Sequence, residues 1–209
     1  MAMVAAATTK TDFFSPDDYV ITPIRRAIHN RQDILLTIDN AGAVVVRGAK
    51  GEYVPEPGFD PVKFFTTPAT QLRVSVLEPA DAGRRAEALH GRNVDELMWT
   101  AGFHASNGRL MEGCNTYDVV QLQHWPNLTR LPHTPNTMRI VAMLTRHATS
   151  IALAHRLLKI EPAELYRVYS AARCAGLARV INGTAQEPAL KPHRNHTLLS
   201  QLMAKIAGL

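Results

Sequence analysis

The chain has 209 residues, of which 46% are hydrophobic, enough for one large or two small packed domains. No apolar run approaches the roughly 20 residues that cross a membrane, and MAMVAAATTK at the N-terminus lacks the basic segment of a signal peptide. We therefore expect a cytoplasmic protein with no membrane segment. The two cysteines, Cys114 and Cys174, form no Cys-x-x-Cys unit, so we expect buried thiols rather than a disulfide framework or a zinc site.

The formal charge of +5 is unevenly distributed. Residues 118–209 carry 11 Lys and Arg against 4 Asp and Glu, whereas residues 1–117 carry 12 against 14. A basic C-terminal half is typical of a region that binds a polyanion, because Lys and Arg neutralise phosphates. A basic surface also binds acidic proteins, so double-stranded DNA and an acidic protein partner both remain open. The absence of a dense Lys/Arg run and of RNA-type aromatic motifs argues against RNA.

The pattern predicts a flexible tail at residues 1–14 and a mixed α+β domain at residues 15–123. Ser15-Pro16-Asp17-Asp18 is a helix start with a cap, a proline and two acidic residues, and the helix should run to about His29. Apolar runs at 34–39 and 43–47 flank Asn40-Ala41-Gly42 and predict a hairpin. Such nearly continuous runs predict strands covered on both faces, or covered by a helix on one face and by a partner on the other.

Further patterns in this domain predict a small antiparallel sheet with helices. We expect short strands at 52–54, 71–77 and 117–124, a helical turn at 60–65, and helices at 79–89 and from Asn93 to about Ser106. The Asn93-capped helix has an apolar stripe made of Val94, Leu97, Met98 and Ala101. Residues 124–133 are rich in proline and predict a linker, in which Trp125 and Leu128 would pack against one domain.

Three helical patterns follow the linker. The first starts at Thr134-Pro135 and carries Met138, Val141 and Leu144 on one face. The second starts at a Thr149 or Ser150 cap, and its apolar face consists of Ile151, Ala154, Leu157 and Leu158. Pro162 cannot continue that helix but suits the first position of a new one, so Glu161 should cap a third helix that ends at Gly176-Leu177.

The third helix has two different sides. Its predicted buried stripe consists of Leu165, Val168, Tyr169 and Ala172. The opposite side carries polar side chains that could read a partner, namely Tyr166, Arg167, Ser170 and Arg173. The stretch from Thr149 to Arg179 resembles the second and third helices of bacterial winged-helix regulators, which often read LAxRL-G-[IV]-xxxxxYR and close with GL. The resemblance implies a trihelical winged-helix-like domain at residues 134–192 that binds DNA.

On that interpretation, the four polar residues of the third helix face the major groove, while Arg146, Lys159 and Arg179 hold phosphates. Three departures favour a different role. Leu158-Lys159 stands where the regulators have a glycine, Glu161 and Glu164 at the helix start would repel phosphates, and prolines after Asn182-Gly183 make the wing short or absent. The alternative is therefore a protein-protein interaction adaptor with a degenerate winged helix.

The last segment, residues 195–209, predicts a C-terminal helix whose apolar stripe at 198–206 is a candidate homodimer interface. His193-x-x-His196 is the only close histidine pair and has no Cys or carboxylate nearby, so we expect no metal site. The phosphate loop, the dinucleotide fingerprint, the nucleophile elbow and the His-Glu-x-x-His helix are all missing. We accordingly expect a non-enzymatic regulatory protein with no catalytic residues and no cofactor.

Overall fold

The computed structural model describes residues 12–181, and this range mixes helices with mostly antiparallel strands, which confirms the predicted α+β class. Its α-helices are α1 (Ile21–His29), α2 (Pro61–Thr66), α3 (Pro79–Leu89), α4 (Val94–Ser106), α5 (Thr137–Arg146), α6 (Ile151–Leu158) and α7 (Pro162–Cys174). Its strands are β1 (Phe13–Phe14), β2 (Asp33–Ile38), β3 (Gly42–Arg47), β4 (Glu52–Pro55), β5 (Leu72–Val76), β6 (Arg92–Asn93), β7 (Leu110–Met111), β8 (Val119–Leu122), β9 (Thr149–Ser150) and β10 (Ala178–Val180). The predicted C-terminal helix at 195–209 and its dimer stripe lie outside the described residues.

The predicted hairpin is confirmed as β2 and β3, which form the centre of an antiparallel sheet in the order β5-β2-β3-β4-β6. Glycine is required at Gly42, because φ is 93° there and a Cβ atom would lie 2.8 Å from Phe59 Cα. One face of the sheet, which includes Leu36 and Val44, packs on the main core with α1 and α4, and the other face packs under α3. Both faces of the β2–β3 hairpin are therefore covered by helices of the same chain, the first of the two predicted alternatives.

The N-terminal prediction needs two corrections. The chain does not form one helix from Ser15, because it makes a short 3-10 turn at 16–18 and becomes extended at Tyr19, with φ −134°, before α1 begins at Ile21. Pro23 is tolerated in the first turn of α1, where a backbone N–H would have no partner within the helix. The predicted flexible tail does not include Phe13 and Phe14, because β1 pairs with β7 and Phe14 is buried.

Helix α4 lies at the centre of the molecule. Its predicted stripe is buried, and Trp99, on another side of the helix, is buried as well. The Trp99 Nε1–H donates a 3.1 Å hydrogen bond to the carbonyl of Pro132 and so holds the predicted linker against α4. At Gly102 the helix meets α7 so closely that a Cβ atom there would lie 2.8 Å from Cys174 Sγ. The two helices can approach this closely only because Gly102 has no side chain.

The three predicted C-terminal helices are confirmed as α5, α6 and α7. The helical conformation is interrupted between α6 and α7, at residues Lys159 to Glu161. Ser150 is the cap of α6, and its Oγ accepts the Leu153 N–H at 3.2 Å. Lys159 adopts the left-handed conformation, with φ 53°, that a glycine would adopt without a Cβ penalty. Gly176, with φ 71°, ends α7 as predicted, and the N–H of Leu177 bonds the carbonyl of Ala172 at 2.9 Å.

The two predicted domains share one core. Strand β8, which the pattern placed in the first domain, is the central strand of a second antiparallel sheet in the order β10-β8-β9. The main cluster of buried apolar residues has members from Phe14 to Ala178, on both sides of the predicted linker at 124–133. The proline-rich segment is therefore not a boundary between separate cores, since α4 and β8 both pack on elements that follow it.

Candidate functional site

The predicted reading side of α7 is largely covered by the rest of the molecule. Ser170 has no exposed surface, and its Oγ accepts the backbone N–H of Met111 in β7 at 3.2 Å. The prediction that Ser170 is exposed is wrong, because α4 and β7 pack on that side of the helix. A buried hydroxyl that already satisfies a strand N–H is not available to a DNA base.

The other three predicted reading residues are partly buried. Arg167 Nη2 donates to Asn107 Oδ1 at 3.4 Å, and its guanidinium lies 5.3 Å from the centre of the Phe103 ring. Arg173 Nη1 donates to the carbonyl of Ala178 at 3.4 Å, and Tyr166 packs against the main core. The four residues do lie together on α7, but they face other parts of the same chain. These parts are α4 with the adjacent Asn107, β7 and β10.

The three predicted phosphate-binding residues are all exposed. Arg146 ends α5 and Lys159 follows α6, whereas Arg179 lies on β10. Strand β10 is at the opposite edge of its sheet from β9, the strand that directly follows α5. The structure thus places Arg146 and Lys159 on the α5–α6 unit and Arg179 on a separate element.

The α5–α6 unit carries two further cations besides the two that were predicted to hold phosphates. Residues 137–160 contain four Lys and Arg and no Asp or Glu. All four cations are exposed, and within residues 12–181 none of them makes a salt bridge. We call them, together with Leu157, the basic surface, which consists of Arg139, Arg146, Arg156, Leu157 and Lys159. Arg139 and Arg156 were not among the predicted site residues.

Leu157 corrects the predicted apolar face of α6. Its side chain is 59% exposed, whereas Ile151 and Ala154 are buried. Leu157 and Leu158 follow Ala154 by three and four positions and so lie on either side of it, about 100° apart. Only Leu158 packs on the core. Met138 of α5, also predicted to be buried, is 60% exposed. Each of the two helices therefore presents one large apolar side chain next to its cations.

Hydrogen bonds join the two helices of the basic surface. Arg139 Nη2 donates to the carbonyl of Leu158 at 2.9 Å, and its Nη1 donates to Asn136 Oδ1 at 2.9 Å. Glu164 accepts from the side chain and backbone N–H groups of Asn136 at 2.9 and 3.1 Å. Burial raises the pKa of Glu164, but hydrogen bonds from Thr134 and Asn136 outweigh it and hold the pKa below its ordinary value. Glu164, predicted to repel phosphates, thus anchors the start of α5.

A second feature, which the sequence did not suggest, is a cavity of about 520 Å³. It lies between β4, α2, α4 and the proline-rich segment 124–133. Arg92 and Arg130 line it, and both also line a neighbouring cavity beside His90. On the α4 side lies His104, whose pKa is lowered, first by burial and then by the nearby Arg167. No sequence pattern joins Arg92 to Arg130, because only the packing of α4 brings them together.

The lowered pKa of His104 predicts a pH dependence of stability. Above its ordinary pKa of 6.5, His104 is neutral in both the folded and unfolded chain. As the pH falls below 6.5, the unfolded chain takes up a proton that the folded chain still resists, so the free energy of unfolding should decrease until the pH passes the folded pKa. Urea unfolding from pH 7.5 to 5.5 measures this slope.

The variant His104→Gln should lose that contribution to the slope, since it has no titrating group at this position. The matched control is His147→Gln, an exposed position that follows α5, and it should retain the contribution because His104 is intact. Equal slopes in wild type and His104→Gln would contradict the burial of His104 as the cause.

Other chemistry is limited in the described part of the chain. Both cysteines are buried, as predicted, and burial raises the pKa of Cys114 and raises that of Cys174 to about 12. Residues 12–181 contain no cluster of three or more His, Cys, Asp or Glu side chains that could hold a metal ion. None of the helices in that range combines the length and apolar character needed to cross a membrane.

Comparisons with protein-family models, curated proteins and solved structures gave no match.

Proposed function

We propose that this protein is a non-enzymatic regulatory adaptor that binds an acidic protein segment through the basic surface of α5 and α6. The observation that carries the proposal is the burial of Ser170 on α7. In the DNA-binding alternative that side of α7 would have to enter the major groove. Exposing it would break the close packing at Gly102 and leave the N–H of Met111 without its partner.

The composition of the basic surface supports a protein partner. Leu157 is exposed between Arg156 and Lys159, and an exposed apolar side chain among cations favours a partner that offers both carboxylates and an apolar residue. An acidic amphipathic helix has that combination, whereas a DNA backbone offers phosphates and sugars but no large apolar side chain. The hydrogen bonds of Arg139 to Leu158 and Asn136 hold the surface in place before the partner binds. Less conformational entropy is therefore lost on binding.

Double-stranded DNA is the second candidate partner, and the specific observation in its favour is the positive charge of the basic surface. Four exposed cations with no carboxylate in the interval could neutralise phosphates. The winged-helix resemblance, which implies three consecutive helices like α5, α6 and α7, also supports this hypothesis. On this hypothesis the duplex would contact α5 and α6 and not the buried side of α7.

Fluorescence anisotropy across a salt series separates the two. The probes are a labelled peptide of about 16 residues, with Glu on one helical face and Leu on the other, and a labelled random duplex of about 20 base pairs. We expect the peptide to bind and the duplex to remain unbound near 0.1 M salt at tens of micromolar protein, weaker than the roughly 10⁻⁴–10⁻⁶ M of ordinary non-specific binding.

The opposite result would replace the adaptor with the regulator. In that case the duplex would bind more tightly than the peptide, and log affinity would fall against log salt concentration with a slope of about −0.9 for each neutralised phosphate. With the four cations of the basic surface engaged, that slope would be about −3.6. A selected duplex that bound more tightly than a random one would further show sequence readout.

A further inference from the structure

The cavity between β4, α2 and α4 has the dimensions of a small-molecule site. Its volume of about 520 Å³ lies within the range of roughly 300–1,000 Å³ that is usual for ligand pockets. Such pockets combine apolar walls with a few polar groups that fix the orientation of the ligand. The walls of this cavity divide in that way into an aromatic part and a cationic part.

The aromatic part is formed by Phe59, Phe65 and His104. The rings of Phe65 and His104 are parallel to within 3°, and the Phe59 ring meets Phe65 edge-on at 82°. Phe65 is buried and packs in this cluster, so the wall is held rigid by its neighbours. Because its lowered pKa keeps His104 neutral at neutral pH, this wall carries no charge and suits a planar apolar group.

The cationic part is formed by Arg92 and Arg130. In the described range Arg92 has no carboxylate within salt-bridge distance, and Arg130 has only Glu96, at 3.9 Å. The carboxylate Glu56 also lines the cavity, but it is bonded to Arg85 and so is already neutralised. Two guanidinium groups at one end of a pocket therefore leave an excess of positive charge there.

We propose that this cavity binds a small aromatic carboxylate, with its ring against Phe59 and His104 and its carboxylate between Arg92 and Arg130. Guanidinium groups bind carboxylates through paired, charge-assisted hydrogen bonds, which are stronger than neutral ones. The site shares no residue with the basic surface, so this proposal can be tested independently of the adaptor proposal. It gives the protein a small-molecule ligand in addition to its partner.

The test uses the full-length ¹⁵N-labelled protein and 2-naphthoate as the probe, followed by two-dimensional NMR and calorimetry. We expect saturable binding with shift changes centred on Gly58, Thr100 and His104, and weaker binding of the neutral isostere 2-naphthamide by at least about tenfold. Parallel titration with 2-naphthyl phosphate shows whether the cationic end distinguishes a carboxylate from a phosphate monoester. Tighter binding of the phosphate would overturn the assignment of a carboxylate.

Variants assign the two ends of the site. Arg92→Met and Arg130→Met each keep an apolar stem but remove a charge, so each should weaken 2-naphthoate about tenfold and leave 2-naphthamide unchanged. Thr100→Leu should fill the cavity and weaken both probes, with circular dichroism confirming the fold. The control, Arg26→Met at an exposed position in α1 that lies outside both sites, should bind like wild type. Absence of 2-naphthoate binding at millimolar concentration, or shift changes confined to α5 and α6, would contradict the proposal.

Discussion

Replacing Gly102 with leucine is expected to lower the free energy of unfolding by about 3 kcal/mol or more. A Cβ atom alone would lie 2.8 Å from Cys174 Sγ and 2.9 Å from the carbonyl oxygen of Ser170, and a leucine adds three further carbons at the same crossing. The backbone of α7 cannot move away without disturbing the Ser170 contact with β7. Urea unfolding followed by circular dichroism measures the loss.

Gly83 provides the matched control for this experiment. It lies inside α3, and a Cβ atom there would meet nothing within 4 Å. Gly83→Ala should therefore raise the free energy of unfolding by about 0.5–1 kcal/mol, because alanine loses less conformational entropy in a helix. If Gly102→Leu were as stable as wild type, α7 would not be fixed against α4, and the main argument against its entry into a DNA groove would fail.

Reversing two charges of the basic surface is expected to abolish partner binding. Arg156→Glu combined with Lys159→Glu should weaken the acidic amphipathic peptide by about 100-fold or more, since attraction becomes repulsion on both sides of Leu157. Leu157→Ser should weaken it by about tenfold while leaving the charge unchanged, because it removes the apolar anchor. Anisotropy at fixed ionic strength gives both values.

The control for net charge is Arg26→Glu combined with Lys50→Glu. Both positions are exposed and lie outside the basic surface, in α1 and in the turn after β3. This double variant changes the net charge by the same amount and should bind the peptide almost as wild type does. Equal weakening in the two double variants would indicate that the peptide responds to overall charge and not to a defined surface.

The local elements were predictable because their signals lie within a few residues of one another. Asn40 and Gly42 gave the hairpin, Pro162 gave the break before α7, and Gly176 gave its end. In each case the conformational preference of one residue acts on its immediate neighbours. The extended residue at Tyr19 shows the limit, since the helix start at Ser15 gives only a short 3-10 turn, without a capping hydrogen bond from the Ser15 side chain.

The candidate sites were only partly predictable. Sequence alone placed Ser170 on the polar side of α7, but the β7 N–H that it satisfies comes from Met111, 59 residues earlier. Small side chains such as serine are compatible with either environment, so no local signal distinguishes them. Arg92 and Arg130 likewise meet through tertiary packing. Lys159, predicted to hold a phosphate, is exposed, and that role stays a prediction. The exposure of Leu157 depends on which neighbouring elements cover α6, and the local pattern does not contain that information.

The central claim, recognition of an acidic protein segment by α5 and α6, is tested most directly by two parallel selections on the immobilised full-length protein. One uses displayed random peptides and the other random duplex DNA, and each round is counter-selected on the Arg156→Glu, Lys159→Glu variant. The account predicts enrichment of peptides that combine Asp or Glu with a large apolar residue, and no enriched duplex. A consensus duplex, or enriched peptides that bind the reversed variant equally well, would contradict it.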